Sequence, residues 1–290
     1  MVPVLLVSLL SPYSGITESR VLYEQPRIHF QYQNIFLGET SRNEHVKLDG
    51  LVACSSYAEF NERMEQYGKH CASSQYWSED LDHDGIIDIV HFQLELSDLQ
   101  QPLKSFSFAL FFEAKLQHKC KLFPPALLTH HLIIPASEQL MSGIIHLKAE
   151  LQLKQYIEFT CPFPGRNTKT HFRQVTIQTN SSTTVDIEQF QLESLLQQLK
   201  ANPAYFQLQL QETYFRRTAR NEGLRILIDL DVLQVPARYH LSVWERLGQF
   251  WLYFASFFGI SFYVMNKFKD YLFGRHIIRS WEIIPWKKLY

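Results

Sequence analysis

Residues Leu247–Met265 run for nineteen positions without a formal charge, and Gln249 is the only strongly polar side chain among them. As a helix this stretch is about 28 Å long, close to the thickness of a bilayer's hydrocarbon core. Trp244, Trp251, Tyr253, Tyr263 and Tyr271 lie in and beside it, as expected of side chains that favour the lipid–water boundary. The buried helix of a soluble core usually keeps a polar stripe, and this segment has none. The pattern predicts a transmembrane helix over residues 244–266.

The flanks predict its orientation. After Met265 come Lys267, Lys269, Arg275, Arg279, Lys287 and Lys288 against Asp270 and Glu282, whereas Arg238 and Arg246 before it are balanced by Asp231 and Glu245. Excess Lys and Arg mark the cytoplasmic side. Residues 267–290 are therefore expected to be a cytosolic basic tail, and residues 20–240 a lumenal or extracellular domain. The first ten residues, Met1–Leu10, are apolar but too few for a span. Residues 1–15 read as a signal-like segment or as the remainder of a truncated first span.

The net charge of −1, with no basic stripe outside the tail, argues against nucleic acid as a partner. Abundant Phe and Tyr with scarce Gly argue for a folded domain rather than a disordered one. Polar–apolar alternation of period two recurs at Arg27–Phe36, Ile89–Leu96, Phe106–Cys120, Ile144–Tyr156, Val175–Thr179, Tyr205–Tyr214 and Leu224–Leu233. Such runs, separated by polar turns, predict a mainly β fold, an antiparallel β-sandwich, rather than βαβ units. One amphipathic helix is predicted over Ile187–Lys200, closed by Asn202-Pro203, and a shorter one over Tyr57–Tyr67.

The sharpest local motif is Asp80-Leu-Asp82-His-Asp84-Gly85-Ile-Ile-Asp88. Oxygen ligands at loop positions one, three, five and nine, with Gly at six, suit a loop that wraps Ca²⁺, and Ile86 at position seven offers its carbonyl. Position twelve is His91 instead of a bidentate Glu, and a strand rather than a helix follows, so the loop is not a full EF-hand. The competing explanation is an acidic turn, but carboxylates so close together repel unless a cation lies among them. The expected metal set is Asp80, Asp82, Asp84, Ile86 and Asp88, holding a structural Ca²⁺.

Cys54, Cys71, Cys120 and Cys161 all precede the span. In an oxidising lumen they are expected to form two disulfides in one of three connectivities, of which Cys54–Cys71 and Cys120–Cys161 join the pairs nearest in sequence; the competing expectation is free buried thiols. Asn180-Ser-Ser182 is the expected glycan acceptor. No Gly-x-Ser-x-Gly elbow, phosphate-cradling Gly loop or His-Glu-x-x-His occurs. His130-His131 reads as an ordinary strand or loop pair, and neither an enzyme nor a small-molecule substrate is expected.

Three stretches carry a resemblance to a known family. They are Tyr23-Glu-Gln-Pro26 leading into Phe30-Gln-Tyr-Gln33, the segment ending Phe60-Asn61, and Asp84-Gly85-x-x-Asp88-x-x-His91-Phe92-x-Leu-Glu-Leu96. With Trp244-Glu245 entering the aromatic span, they make the chain similar to the transmembrane protein 231 family of ciliary transition-zone membrane proteins. The resemblance implies two spans, cytosolic termini and a β-rich ectodomain. It also implies a structural place, with tectonic-like and B9-domain partners, in the membrane complex that controls entry into the cilium. A Ca²⁺-dependent adhesion or ligand-binding receptor is the competing expectation, and a membrane-tethered hydrolase the third. The short tail has no room for a signalling domain, and no nucleophile-plus-base motif supports hydrolysis.

Overall fold

The computed structural model describes residues 19–40, 50–64, 68–69, 73–97, 99, 101–161, 172–177, 190–218 and 223–275. The chain forms two units, one over Val21–His240 and a second that contains the C-terminal helix.

Alternation in sequence becomes alternation in burial. Along β6 (Ile89–Leu96) the side chains of Val90, Phe92, Leu94 and Leu96 are buried while those between them are half-buried, because successive strand residues face opposite sides of a sheet. The same holds in β12 (Leu224–Asp231) and β9 (Gly143–Gln155). The other long strands are β2 (Arg27–Thr40), β7 (Leu103–Lys115), β8 (Pro125–Ile133) and β11 (Ala204–Arg217), and shorter ones are β3 (Leu51–Ser55), β4 (Gly68–Lys69) and β5 (Ser73–Glu79). These ten join in one sheet of order β4-β3-β2-β7-β8-β11-β9-β12-β6-β5. A second sheet of three contains β1 (Ser19–Glu24), β13 (Val235–His240) and β10 (Phe159–Thr160).

The mainly β expectation therefore holds, with one correction to its geometry. The two packed layers expected of an antiparallel sandwich come from a single sheet that curls on itself. The end strands β4 and β5 are consecutive in the chain, with only residues 70–72 between them, so the sheet must bend until its ends approach. The ring of Phe30 on β2 accordingly stacks 4.7 Å from Tyr76 on β5 and lies 6.1 Å from Phe92 on β6. Most ladders are antiparallel, but β12 runs parallel to β9 over eight residue pairs, and β11 meets β8 in parallel.

The inside of the curl is the main core. Phe30, Phe36, Phe106, Phe108, Phe112 and Phe206 meet the leucines and isoleucines of β6, β9 and β12 there, together with Phe159 and Tyr239 of the smaller sheet. A second cluster forms on the opposite face. There α1 (Ala58–Met64) contributes Phe60, and α2 (Leu192–Lys200) seals Leu195 and Leu199 against Phe111, Leu127 and Tyr205. Each fully buried Leu or Phe of this kind contributes about 1.5–3 kcal/mol. The α2 helix stops where Asn202 turns its amide back onto the carbonyls of Gln198 and Leu199, at 3.2 and 3.3 Å, while its Oδ1 accepts the Arg173 N–H at 2.8 Å. Pro203 follows and cannot continue the helix.

Expectations and structure differ at Val175–Thr179. Residues 172–177 form no strand; Val175 and Ile177 instead pack on the outer cluster, so the alternation reflects contact with a sheet rather than membership in one. Residues 187–189 of the expected longer helix, 65–67 of the expected shorter one, and Gln178 and Thr179 lie outside the described residues.

The C-terminal helix α3 (Val243–Gly274) begins one residue before the expected span and extends past it. Ser242 Oγ accepts the Glu245 N–H at 3.3 Å and the Glu245 carboxylate accepts the Ser242 N–H at 2.9 Å, a reciprocal cap that fixes the start. The helix is long and apolar enough to cross a membrane, and none of its apolar window is buried. Phe250, Phe254, Phe258 and Phe262 stack along one face with ring centroids 6.2, 5.9 and 6.3 Å apart in pairs.

One glycine tests the ladder between β9 and β11. Gly143 has φ +145°, and a Cβ there would lie 2.4 Å from the Arg216 carbonyl oxygen. Gly143→Ala in the full-length protein is expected to cost about 2–4 kcal/mol, since backbone must move. Gly85→Ala, at φ +82° with nothing within 4 Å, is expected to cost only about 1–2 kcal/mol of backbone strain. Thermal melting that ranks the two equally, or in reverse, would refute this account.

Candidate functional site

The acidic loop closes the hairpin between β5 and β6. Its base is pinned twice: the Asp88 N–H donates to the Glu79 carbonyl at 2.9 Å, and the Asp88 carbonyl accepts the Val232 N–H at 2.8 Å. Within the loop each aspartate holds a backbone N–H. Asp80 Oδ2 accepts from Gly85 at 2.9 Å, Asp82 Oδ1 from Asp84 at 3.2 Å, Asp84 Oδ1 from Ile86 at 2.6 Å and Asp88 Oδ2 from Leu81 at 2.7 Å. His83 and Gly85 take positive φ, at 59° and 82°, which lets the chain wind this tightly. Asp and Gly occupy such turns because their side chains tolerate or support this geometry.

Of the four carboxylates among the expected metal ligands, the structure brings three together. One carboxylate oxygen each from Asp80, Asp82 and Asp88 lies within 4.8 Å of the other two. Asp84 is not in this group and turns to the Ile86 N–H instead. Asp80 Oδ1 is shielded from solvent and has no hydrogen-bond partner, which is costly for a carboxylate oxygen unless a donor or cation meets it. The two charge environments diverge. The Asp84 N–H pulls the Asp82 carboxyl down, but desolvation and the neighbouring Asp84, Asp88 and Asp80 outweigh it and raise the group above the usual carboxylate range. Asp88 is held below that range, first by the Gln25 amide and then by the Leu81 N–H.

Gln25 is the functional neighbour that the loop motif alone does not reveal. Its Nε2 reaches Asp88 Oδ1 at 2.8 Å and the Val232 carbonyl at 3.0 Å. The preceding Glu24 accepts the N–H groups of Gln117 and His118 and the Tyr239 hydroxyl, the last at 3.2 Å. Burial, then the adjacent Glu24, raises the Tyr239 phenol well above its ordinary value. Tyr23-Glu-Gln-Pro26 and the acidic loop are thus one assembly: the first motif reaches the second through Gln25. Both stretches stood out in the sequence, but nothing in their spacing shows that they meet.

His91, at loop position twelve, belongs to a different cluster. Its Nδ1 lies 2.7 Å from Asp229 Oδ1, and His146 Nε2 lies 2.5 Å from Asp229 Oδ2. Trp77 stacks on the His91 ring at 4.9 Å. This ledge crosses β6, β12 and β9 on the half-exposed face of the sheet, where cross-strand register sets His91 opposite Asp229. His130 and His131 lie on β8, in the strand setting expected of them.

The expected Cys120–Cys161 disulfide is present, with Cα atoms 5.7 Å apart. Cys54 is also disulfide-bonded; Cys71, its expected partner, lies outside the described residues. Asn180 lies outside them too, as do residues 1–18 and 276–290.

A β-rich domain stabilised by disulfides and followed by an exposed apolar helix defines a membrane-anchored protein. The family model for "Transmembrane protein 231" matches residues 1–282, and the chain belongs to that family. A comparison with curated proteins finds no match.

The Gln25–Asp88 contact gives a pH-dependent signature. A carboxyl whose pKa is lowered on folding adds stability above its unfolded value and loses it as pH falls through the folded one. Gln25→Leu removes the main cause of the lowering, so its melting deficit against wild type is expected to be larger at pH 7 than at pH 3. A deficit that does not change with pH would mean that Gln25 acts only through the Val232 carbonyl.

Proposed function

We propose that this chain is a structural membrane component of the ciliary transition zone, assembled with tectonic-like and B9-domain proteins. In this role it helps form the diffusion barrier at the ciliary base and supports cilium assembly. The family match over residues 1–282, with α3 able to cross a membrane, is the observation that carries the reading. The family is not a known enzyme family, and the role is architectural rather than catalytic.

The proposed topology sets Val21–His240 on the extracellular face, α3 in lipid and the basic tail in the cytosol. Two observations support it: Lys and Arg exceed Asp and Glu after the span, and the Cys120–Cys161 disulfide fits an oxidising compartment. Asn180 is the proposed glycan acceptor on that face. In ciliated cells a tag after Tyr290 is expected to mark a narrow zone at the ciliary base, and to be reached by antibody only after permeabilisation. Uniform plasma-membrane staining, or staining of intact cells, would refute the location or the topology respectively.

The acidic loop is proposed to hold a structural Ca²⁺ through Asp80, Asp82 and Asp88, with the Asp84 and Ile86 oxygens within the same loop. The three gathered carboxylates and the unpartnered Asp80 Oδ1 support this. Without a bidentate ligand at position twelve, affinity is expected in the range of about 10⁻⁴–10⁻³ M found in extracellular modules. Asp82→Ala is expected to lower the melting temperature in millimolar Ca²⁺ but not in chelator. Identical melting of the wild-type protein in Ca²⁺ and in chelator would make the loop an acidic turn only.

A further inference from the structure

The strand β5 ends the ten-stranded sheet: β6 pairs with one of its edges, and among the described residues no strand pairs with the other. Natural edge strands are ordinarily blunted by a bulge, a Lys, a Pro or a covering element. Here seven consecutive residues pair with β6 without a register shift, so no bulge turns the edge away. The sequence Ser73-Ser-Gln-Tyr-Trp-Ser-Glu79 contains neither Lys nor Pro, and its one charge is at the last position.

A cavity of about 490 Å³ opens beside this edge, within the range of about 300–1,000 Å³ that ligand sites show. The way each strand lines it is informative. From β5 it is lined by four consecutive residues, Ser73 to Tyr76, whereas β6 contributes the alternate residues Phe92 and Leu94. Alternate residues present a sheet face, while a consecutive run presents the edge, with its main-chain N–H and C=O groups. The opposite wall has spent its own groups: the Ser55 N–H and carbonyl are both taken by the Asn61 side chain, at 2.9 and 2.7 Å, and the Ser56 N–H donates to the Asn34 carbonyl at 3.0 Å. Among the described residues no charged side chain lines the cavity. Phe30 and Tyr76 stack at its floor, and the exposed ring of Tyr32 lies 6.1 Å from Tyr76.

The geometry points to β5 as a docking edge for an extended, uncharged segment of another protein of the membrane assembly. The segment adds a strand to β5 and sets one apolar side chain against Phe30 and Tyr76. Main-chain hydrogen bonds along an exposed edge supply affinity in this mode, and pockets for alternate side chains supply specificity. A saccharide could use the rings and hydroxyls but would leave the β5 backbone unpaired. The inference deepens the structural reading above and rests on it.

Hydrogen exchange on the full-length protein tests the inference, first within the assembly gently extracted from native membranes and then after separation from its partners. Amides within Ser73–Glu79 are expected to exchange roughly tenfold or more slowly in the assembly. Gln75→Lys is expected to abolish that protection while the protein melts as wild type does. Equal exchange in the two states overturns the proposal. So does protection that rises with concentration of the purified protein alone, which would make a second copy the occupant. A protein at the ciliary base with a freely exchanging β5 refutes the edge alone; a protein elsewhere with a protected β5 refutes the location and not the edge.

Discussion

The constraint on which the structure depends is the short connection between the two ends of its own sheet. The chain passes from β4 to β5 across residues 70–72, yet these strands stand at opposite ends of a ten-strand order. A flat sheet of that width would hold its ends tens of ångströms apart, since neighbouring strands are about 4.8 Å apart. The connection therefore requires curling, and curling makes one face an interior. That interior needs large side chains to fill it, which is where the Phe content of the chain is used: Phe30, Phe36, Phe92, Phe106, Phe108, Phe112 and Phe206 all lie in the inner core.

Curling also explains why a short polar motif near the start of the described chain matters so much. Once the sheet closes on itself, the beginning of β2 comes near the beginning of β6, and Glu24 and Gln25 reach groups far away in sequence. Gln25 to Asp88 spans 63 residues, Gln25 to Val232 spans 207, and Glu24 to Tyr239 spans 215. Hydrogen bonds to charged groups are stronger than those between neutral ones, and solvent screens them where they are exposed. The benefit is specificity of register more than bulk stability, because apolar burial in the core is far larger. The acidic loop inherits its shape from this clasp, which holds Asp88 from one side while Leu81 holds it from the other.

Strands with one buried face were legible in the sequence, whereas β8 and β5, each with two equivalent faces, were not. Ile89–Leu96, Leu224–Leu233 and Ile144–Tyr156 alternate because one side meets the core and the other meets solvent, and all three became strands. In β8, Pro125 to Leu128 are buried in succession, since the strand lies between the inner core and the outer helical cluster, and no period-two signal survives. In β5 the reverse holds: Ser73-Ser-Gln-Tyr-Trp-Ser-Glu79 is mostly exposed on both faces, so no apolar alternation marks it as a strand. The acidic motif was legible as a tight loop, but its division of labour was not. Which oxygens gather and which cap backbone amides depends on the winding at His83 and Gly85, and the roles of Gln25 and Val232 depend on the closed fold.

The order of strands sets a problem in assembly that the disulfide helps to solve. β8 and β9 are consecutive in the chain but not neighbours, because β11 lies between them, and β12 likewise separates β9 from β6. The middle of the sheet is thus built by late strands inserting among early ones. Such non-local pairing is slow, since loop-closure entropy must be met before contacts reward it. The Cys120–Cys161 bridge spans 41 residues and encloses both β8 and β9. Closing a loop of that length removes about 4 kcal/mol of unfolded-state entropy on the chain-entropy model. Formed before β11 docks, it would keep the two strands near each other while the gap between them is open. A bridge between β8 and β11 would tie a pair that the ladder already holds, whereas this one limits the freedom of strands whose shared partner arrives last. The same topology leaves β5 at an end that no later strand of the described chain reaches, so the unpaired edge follows from the strand order itself.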